Sequence, residues 1–273
     1  MKTNLLKFKR VYKFIPTALT LGNTLCGFAA ILNCLQAYRY ADDFNQLISL
    51  MTISSWLIVG AMIFDMLDGW TARKLNASSS HGLQMDSLAD MVTFGVAPGI
   101  MIAVMAQLGD IHGELLRFNF LNLQLVWIFC GIYVSCVALR LALYNVMAME
   151  GDMDSTFHGL PSPGGAAAVC SLIFAFNYLN NNDVENAHIL IKILPFYAAI
   201  LGLLMVSPFP YEHIGKWLGK QENNKLKILV VIIFFSAFSY RPYLIAALAI
   251  NIYILFGPVK GIVKYCIGKF RKS

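Results

Sequence analysis

Charged residues are scarce in this chain: they make up only 13% of its 273 residues, while 58% are hydrophobic. A soluble domain usually carries about 25% charged residues, so the composition excludes an ordinary water-exposed globule. The chain also lacks any CxxC pair, and its six cysteines sit in apolar runs, which predicts no disulfide framework. The alternating ten-residue pattern of a membrane β-barrel is missing as well. These absences point to a helical membrane protein.

Long apolar runs recur along the chain instead. A helix needs about 20 residues to cross a bilayer, and inside lipid its backbone must be hydrogen-bonded within the segment. We therefore predict an all-α polytopic membrane protein with about eight transmembrane helices. The last two runs are short and close together, so a single re-entrant unit is the alternative for them. The predicted segments lie near residues 15–38, 46–68, 86–108, 122–147, 164–179, 188–207, 225–240 and 242–257.

Basic residues are unevenly distributed around these segments. Sixteen lysines and arginines fall on one side of the predicted membrane, and only Arg39, Arg117 and Arg241 fall on the other. The positive-inside rule places the sixteen, and both termini, in the cytoplasm. Because this charge is divided among juxtamembrane clusters, it indicates a membrane surface and not nucleic acid. The predicted parts are a basic interfacial segment (1–14), a transmembrane core (15–210) and a C-terminal loop, helical hairpin and basic tail (211–273).

Four aspartates interrupt the apolar pattern near the cytoplasmic side. Asp65 and Asp68 lie three residues apart on the second predicted helix, and Asp86 and Asp90 open the third predicted helix four residues apart. Both spacings place the two carboxylates of a pair on one helix face, so we expect all four to converge on one cavity. Their mutual repulsion and membrane burial would be relieved by hard divalent cations, Mg²⁺ or Mn²⁺ first and Ca²⁺ as an alternative.

Small and cationic residues lie between the two acidic pairs. Gly69 and Gly82 let the backbone approach a bulky anion, and Ala72 leaves room beside them. Arg73 can bind a phosphate with its forked guanidinium. Together with bound metal, this set of residues suits a diphosphate.

Eight fixed positions of this stretch match the signature of the CDP-alcohol phosphotransferases, and the chain resembles that family. Other stretches are similar to its membrane-embedded phosphatidylserine synthases of bacteria and archaea, although Thr17 and Leu143 replace an asparagine and an arginine that are common there. The signature positions are Asp65, Asp68, Gly69, Ala72, Arg73, Gly82, Asp86 and Asp90, and the other similar stretches are 14–28, 140–145, 157–168 and 203–211.

The resemblance implies an enzyme of the inner membrane of a prokaryote, with its active site facing the cytoplasm. The implied reaction transfers the phosphatidyl group of CDP-diacylglycerol to the hydroxyl of L-serine and releases CMP. The resemblance further implies two Mg²⁺ or Mn²⁺ ions, membrane lipids as surroundings, no nucleic acid partner and, as one arrangement, a homodimer. The implied metal ligands are Asp65, Asp68, Asp86 and Asp90, with Asp90 also the general base. The implied CDP-diacylglycerol contacts are Gly69, Ala72, Arg73, Gly82 and Asn23.

Polar residues elsewhere are candidates for binding the acceptor. Arg140 lies deep within a predicted helix, where an arginine faces a polar cavity by default. It would bind substrate there or pair with one of the aspartates. Asn145, His158 and Ser162 are further candidates, with an ordinary loop role as the alternative for His158. Asn23 would bond the cytosine, or would simply accompany helix packing through the neighbouring glycines.

Other functions fit parts of the same pattern. The metal-binding residues would serve equally for transfer to glycerol 3-phosphate, an inositol phosphate or choline. A divalent-cation transporter would also use intramembrane carboxylates, but would place them at the bilayer midplane and along both halves of the chain. A non-catalytic lipid-binding scaffold would not need all four aspartates. The clustering of the acids at one edge favours the enzyme.

Overall fold

The computed structural model describes residues 2–40, 43–75, 79–111, 123–150, 159–182, 189–211 and 241–270, and every regular element within them is a helix. The elements are α1 (Lys2–Arg39), α2 (Phe44–Lys74), α3 (Ser80–Asp90), a π-helical turn (Met91–Val96), α4 (Ala97–Ile111), α5 (Leu123–Glu150), α6 (Ser162–Asn180), α7 (Ile189–Val206) and α8 (Pro242–Phe270). The predicted run near 225–240 lies outside the described residues.

Within the described residues, seven helical segments are long and apolar enough to cross a membrane, one of them formed by α3, the π-helical turn and most of α4. Large apolar side chains such as Leu25, Trp56 and Ile252 are exposed on the outside of the bundle, where a bilayer would cover them. The predicted all-α polytopic membrane architecture is therefore confirmed. The three-part division at residues 14 and 210 stays a prediction.

The third helix begins earlier than its apolar run indicates. Ser79 is extended, and its side chain accepts a hydrogen bond from the Gly82 N–H at 3.0 Å, which makes it the N-cap of α3. Asp86 consequently lies in the second turn of α3 and Asp90 is its last residue, so the prediction that they open the helix was wrong. Hydropathy does not detect the polar first turn, although the serine cap is visible in the sequence.

Small residues let α1 approach its neighbours closely. A Cβ added at Gly22 would lie 3.2 Å from the Phe64 ring of α2. One added at Gly27 would lie 2.8 Å from Cα of Thr93 and closer still to its hydroxyl. Such contacts are typical of helix packing in membranes, where close backbone approach replaces the hydrophobic driving force. They fix α1 against both α2 and the π-helical turn.

The π-helical turn follows Asp90 directly and is held from two sides. Tyr133 of α5 is fully buried, and its hydroxyl donates to the Phe94 carbonyl at 2.7 Å. The Thr93 hydroxyl donates to the Asn23 carbonyl of α1 at 3.1 Å. A single π turn inside an α-helix shifts the helix faces on its two sides relative to each other and is frequent at functional sites. Here it separates the acidic face of α3 from the apolar α4.

The segment before α6 and the segment after α7 are paired with each other. Gly159 has φ +97°, a left-handed conformation that favours glycine. Its N–H donates to the Phe209 carbonyl at 2.8 Å, and the Leu160 N–H donates to the Leu204 carbonyl at 3.0 Å. The Tyr211 hydroxyl in turn donates to the Ile254 carbonyl of α8 at 2.9 Å. The first two bonds join the segment before α6 to the end of α7 and the residues after it, and the third joins those residues to α8.

Candidate active site

Three of the four predicted aspartates form a compact cluster. Asp65 and Asp68 lie on α2 and Asp86 lies on α3, and one carboxylate oxygen of each lies within 4.8 Å of the other two. Asp68 is buried at 4% exposure, and the other two are half-buried. The expected convergence of the two helix faces is therefore found for these three carboxylates. Asp90, 7% exposed, is outside the cluster but within electrostatic range of all three.

The donor set fits a hard divalent cation. The three side chains offer only carboxylate oxygens, which is the ligand type that Mg²⁺, Mn²⁺ and Ca²⁺ prefer. Oδ1 of Asp86 is buried and has no hydrogen-bond partner among the described residues. A buried carboxylate oxygen normally needs a partner, and a cation beside Asp65 and Asp68 would supply it. These observations support a metal site, while the identity and number of the ions stay predictions.

Helix α1 supplies a hydrogen-bond donor to each acidic pair. The Thr20 hydroxyl donates to Asp68 Oδ2 at 2.9 Å, and the Asn23 amide donates to Asp90 Oδ1 at 3.0 Å. Both donors are buried. Thr20 was not among the predicted site residues. A signal for it existed, since it lies three residues before Asn23 and so shares a helix face with it.

The predicted phosphate-binding residues lie around the end of α2 and the start of α3. Arg73 is exposed in the last turn of α2, and a Cβ at Gly69 would meet only its guanidinium, at 3.9 Å. Gly69 therefore leaves open space beside α2. Ala72 is half-buried. Gly82 has a second reason to be glycine, because a Cβ there would lie 3.2 Å from the Ser79 hydroxyl that caps α3.

The predicted acceptor residues fall into two groups. Asn145 of α5 accepts a hydrogen bond from Ser87 of α3 at 2.9 Å, so it lies on the side of the acidic helix. Arg140 is buried and donates to the Met205 carbonyl of α7 at 3.2 Å. Five residues on an α-helix correspond to a rotation of about 140°, so Arg140 and Asn145 lie on different faces of α5.

Ser162 and His158 complete the predicted acceptor set. Ser162 is buried at the first position of α6, three residues after Gly159. A Cβ at Gly159 would lie 3.2 Å from Nη1 of Arg140, so the turn before α6 packs against the guanidinium. His158 lies outside the described residues. Sequence reasoning also missed Tyr253 of α8, whose hydroxyl is within electrostatic range of Arg140; no motif marks it.

Comparison with known proteins assigns this arrangement to a family. The family model described as CDP-alcohol phosphatidyltransferase matches residues 13–206. The chain belongs to this family. The matched range contains every predicted site residue, whereas α8 lies beyond it. Dependence on divalent metal is general among CDP-alcohol phosphatidyltransferases, and the aspartate cluster provides suitable ligands for it.

Similar proteins come from bacteria and archaea. The CDP-diacylglycerol–serine O-phosphatidyltransferase of Helicobacter pylori (strain J99) is 31% identical over 252 residues, which cover 90% of this chain and 90% of the relative. The protein of the same name from Bacillus subtilis (strain 168) is 32% identical over 204 residues, covering 74% and 92%. The archaetidylserine synthase of Methanothermobacter thermautotrophicus is 29% identical over 210 residues, covering 76% and 73%. All three names refer to serine.

Proposed function

We propose that this protein transfers the phosphatidyl group of CDP-diacylglycerol to the hydroxyl of L-serine, giving phosphatidylserine and CMP. The observation that carries the reaction type is the cluster of Asp65, Asp68 and Asp86 in a chain of the CDP-alcohol phosphatidyltransferase family. The choice of serine is supported by relatives that cover most of the chain. In this reaction the serine oxygen forms a bond to the β-phosphorus, and the bond from that phosphorus to the bridging oxygen breaks.

The aspartates have separate roles in this proposal. Asp65, Asp68 and Asp86 would hold the divalent cations, with Asp90 as an additional ligand. Bound cations would neutralise the diphosphate and stabilise the charge on the entering and leaving oxygens. Asp90 accepts the proton of the serine hydroxyl, a step that typically contributes about 10²–10⁴ in rate. Its place beside the cluster but outside it supports this assignment.

The diphosphate end of CDP-diacylglycerol would lie over the end of α2. Gly69 and Ala72 let the backbone of α2 approach the diphosphate, and the exposed Arg73 reaches a phosphate oxygen. Gly82 contributes through the capped first turn of α3. Asn23 was predicted as a fifth contact, through the cytosine, but its amide group donates to Asp90. Because phosphoryl transfer depends mainly on positioning and charge neutralisation, these residues need no covalent role.

The serine carboxylate is the proposed ligand of Arg140. A buried guanidinium can bind a carboxylate in a bidentate geometry, and the turn at Gly159 and the buried Ser162 lie next to it. Asn145 would act from the α3 side, and His158 stays a candidate on the sequence alone. An acceptor with its own phosphate would call for more cationic groups than Arg140 and Arg73.

The proposed orientation places the aspartate end of α2 and both termini at the cytoplasmic face of the inner membrane. Arg73 and Lys74 form the last turn of α2, and the Lys74 ammonium lies 4.5 Å from the Trp70 ring centroid. Basic and tryptophan side chains together are typical of the membrane interface, with the basic ones on the inner side. A homodimer stays a prediction of the family resemblance.

The test is CMP release by purified protein in detergent from CDP-diacylglycerol with Mg²⁺ or Mn²⁺. Serine, glycerol 3-phosphate, inositol phosphate and choline are offered separately. We expect release with serine, loss of it in EDTA, and loss of it in Asp86→Asn. Asp43→Asn is the matched control, because Asp43 caps the opposite end of α2. Release only with another alcohol would overturn serine as acceptor. Release with none of the alcohols would overturn the enzymatic function and favour the divalent-cation transporter.

A further inference from the structure

Asn23 makes contacts that its predicted role does not explain. It is fully buried in the middle of α1, and its side-chain amide donates to Asp90 Oδ1 at 3.0 Å. A carboxylate accepts hydrogen bonds and donates none when ionised, so the NH₂ group must face Asp90. The amide oxygen then faces away from Asp90, and it has no partner among the described residues.

The backbone of Asn23 is bound to the same turn that carries Asp90. Thr93 lies three residues after Asp90, and its hydroxyl donates to the Asn23 carbonyl at 3.1 Å. Asn23 therefore contacts one turn of helix twice, once through its side chain and once through its backbone. Gly27 keeps this register, because any larger residue there would collide with Thr93. The Asp90 carboxylate is thus held in one orientation relative to α1.

The other side of the turn is held equally well. Tyr133 donates to the Phe94 carbonyl at 2.7 Å, which satisfies a backbone oxygen of the π-helical turn. The π-helical turn is therefore fixed by contacts with α1 and with α5, and it begins directly after Asp90. Of the two Asp90 oxygens, Oδ1 is the one that Asn23 binds.

We propose that Asn23 is a positioning residue that fixes the Asp90 carboxylate for proton transfer, and not a contact to the cytosine. This inference rests on the proposed function, since it assigns Asn23 to the base of that reaction. Removing a residue that orients a functional group in this way typically lowers activity about 10–100-fold. The loss is expected in kcat, because ground-state binding of CDP-diacylglycerol does not need an oriented base.

Two near-isosteric variants test the assignment. Asn23→Leu keeps the branched shape and removes the donor, and Asn23→Asp adds a charge that repels Asp90. We expect kcat to fall about 10–100-fold in Asn23→Leu and further in Asn23→Asp. The KM for CDP-diacylglycerol and the affinity for CMP, measured by calorimetry in Mn²⁺, should stay within about twofold of wild type. Weakened CMP binding with kcat kept would establish the cytosine contact and overturn the proposal.

A double-mutant cycle separates positioning from general structural damage. If Asn23 acts through Asp90, adding Asn23→Leu to Asp90→Asn should cause no further loss of kcat. Fully additive losses would overturn the proposal. Mn²⁺ binding followed by electron paramagnetic resonance gives a readout without turnover, and we expect it to change less than kcat does in Asn23→Leu, because three of the four proposed ligands (Asp65, Asp68 and Asp86) are intact.

Matched controls guard against misfolding. Thr24→Val alters the next residue of α1, whose hydroxyl donates to the Thr20 carbonyl of its own helix, and it should leave kcat unchanged. Thr93→Val removes the second bond to Asn23 and should lower kcat with CMP affinity kept, so the proposal stays testable if Asn23→Leu does not fold. A wild type that releases no CMP with any alcohol overturns both proposals. An active wild type with additive losses overturns this one alone.

Discussion

The hydroxyl of Thr20 donates to Asp68 Oδ2 at 2.9 Å across the interface between α1 and α2, at a sequence separation of 48 residues. Asp68 is buried and belongs to the cluster of three carboxylates. Thr20 therefore constrains a proposed metal ligand from a helix that contributes no carboxylate itself. Helix α1 therefore supports the site from outside the carboxylate cluster.

Thr20→Val should weaken the proposed metal site without unfolding the protein. The variant keeps the branched shape and removes the donor to Asp68, and loss of such an outer partner typically costs about 10–100-fold in metal affinity or activity. The Mn²⁺ concentration that gives half-maximal CMP release should rise accordingly. Thr24→Val is the control, because that hydroxyl bonds to its own helix. An unchanged Mn²⁺ dependence would contradict the role of Thr20.

Asp86→Asn should stabilise the protein in EDTA while it removes activity. In the absence of cations the three clustered carboxylates repel one another, and neutralising one of them relieves that repulsion. Added Mn²⁺ should raise the thermal unfolding temperature of the wild type, because a ligand that binds only the folded state stabilises it, and should raise that of the variant much less. A variant that is equally destabilised in EDTA and in Mn²⁺ would speak against a shared metal site.

Tyr133→Phe should destabilise the protein and slow the reaction. The lost hydroxyl leaves the buried Phe94 carbonyl without its donor, which typically costs about 1–3 kcal/mol. Because the π-helical turn follows Asp90, we expect kcat to fall as well. Tyr197→Phe provides the control, since it removes a similar bond to Asn251 on α8, at 2.8 Å. Thermal unfolding and CMP release are measured on both variants. Equal kcat values in Tyr133→Phe and Tyr197→Phe would contradict a role of the π-helical turn in the reaction.

Gly27→Ala should be strongly destabilising. The added Cβ would lie 2.8 Å from Cα of Thr93, so α1 would have to move away from the π-helical turn. Overpacking of this kind typically costs about 1–3 kcal/mol. Gly60→Ala on α2 is the matched control, because a Cβ there meets nothing within 4 Å and alanine favours a helix by about 0.5–1 kcal/mol. The thermal unfolding temperature should fall in Gly27→Ala and should not fall in Gly60→Ala.

Arg140→Gln should raise the KM for serine far more than the KM for CDP-diacylglycerol. The variant loses the charge that is proposed to bind the serine carboxylate, while the aspartate cluster is unchanged. Charge-assisted hydrogen bonds contribute about 1.5–3 kcal/mol, which corresponds to a change of about 10–150-fold. Lys192→Gln on α7 is the comparison for loss of a basic residue. Equal increases in both KM values would show that Arg140 supports the fold through Met205 instead.

The acidic stretch was the most predictable part of the site. The spacing of Asp65 and Asp68 fixes them on one face of α2 whatever the tertiary structure, because helical periodicity is local. The convergence with Asp86 followed once both helices were placed at the same membrane edge. The start of α3 was predicted too late because it was placed at the first apolar residues, and the polar turn that begins after the Ser79 cap was left out.

The hydrogen-bond partners of the aspartates could not be predicted in the same way. Whether a residue of α1 reaches Asp68 or Asp90 depends on the rotation and depth of one helix against another. Those are set by close contacts such as Gly27 against Thr93, which join residues far apart in the chain. For this reason the sequence predicted for Asn23 either a cytosine contact or a part in helix packing, while in the structure its amide faces Asp90.

The membrane setting, the helices and the family can be predicted from the sequence, because hydrophobic run length and residue spacing act within single segments. The tertiary structure was needed to show that Thr20 and Asn23 of α1 hold Asp68 and Asp90. It also showed that Asn145 and Arg140 lie on different faces of α5, and that Asp90 is outside the three-carboxylate cluster. These relationships arise between helices. Their physical origin is the packing of small residues and the need of every buried polar atom for a partner.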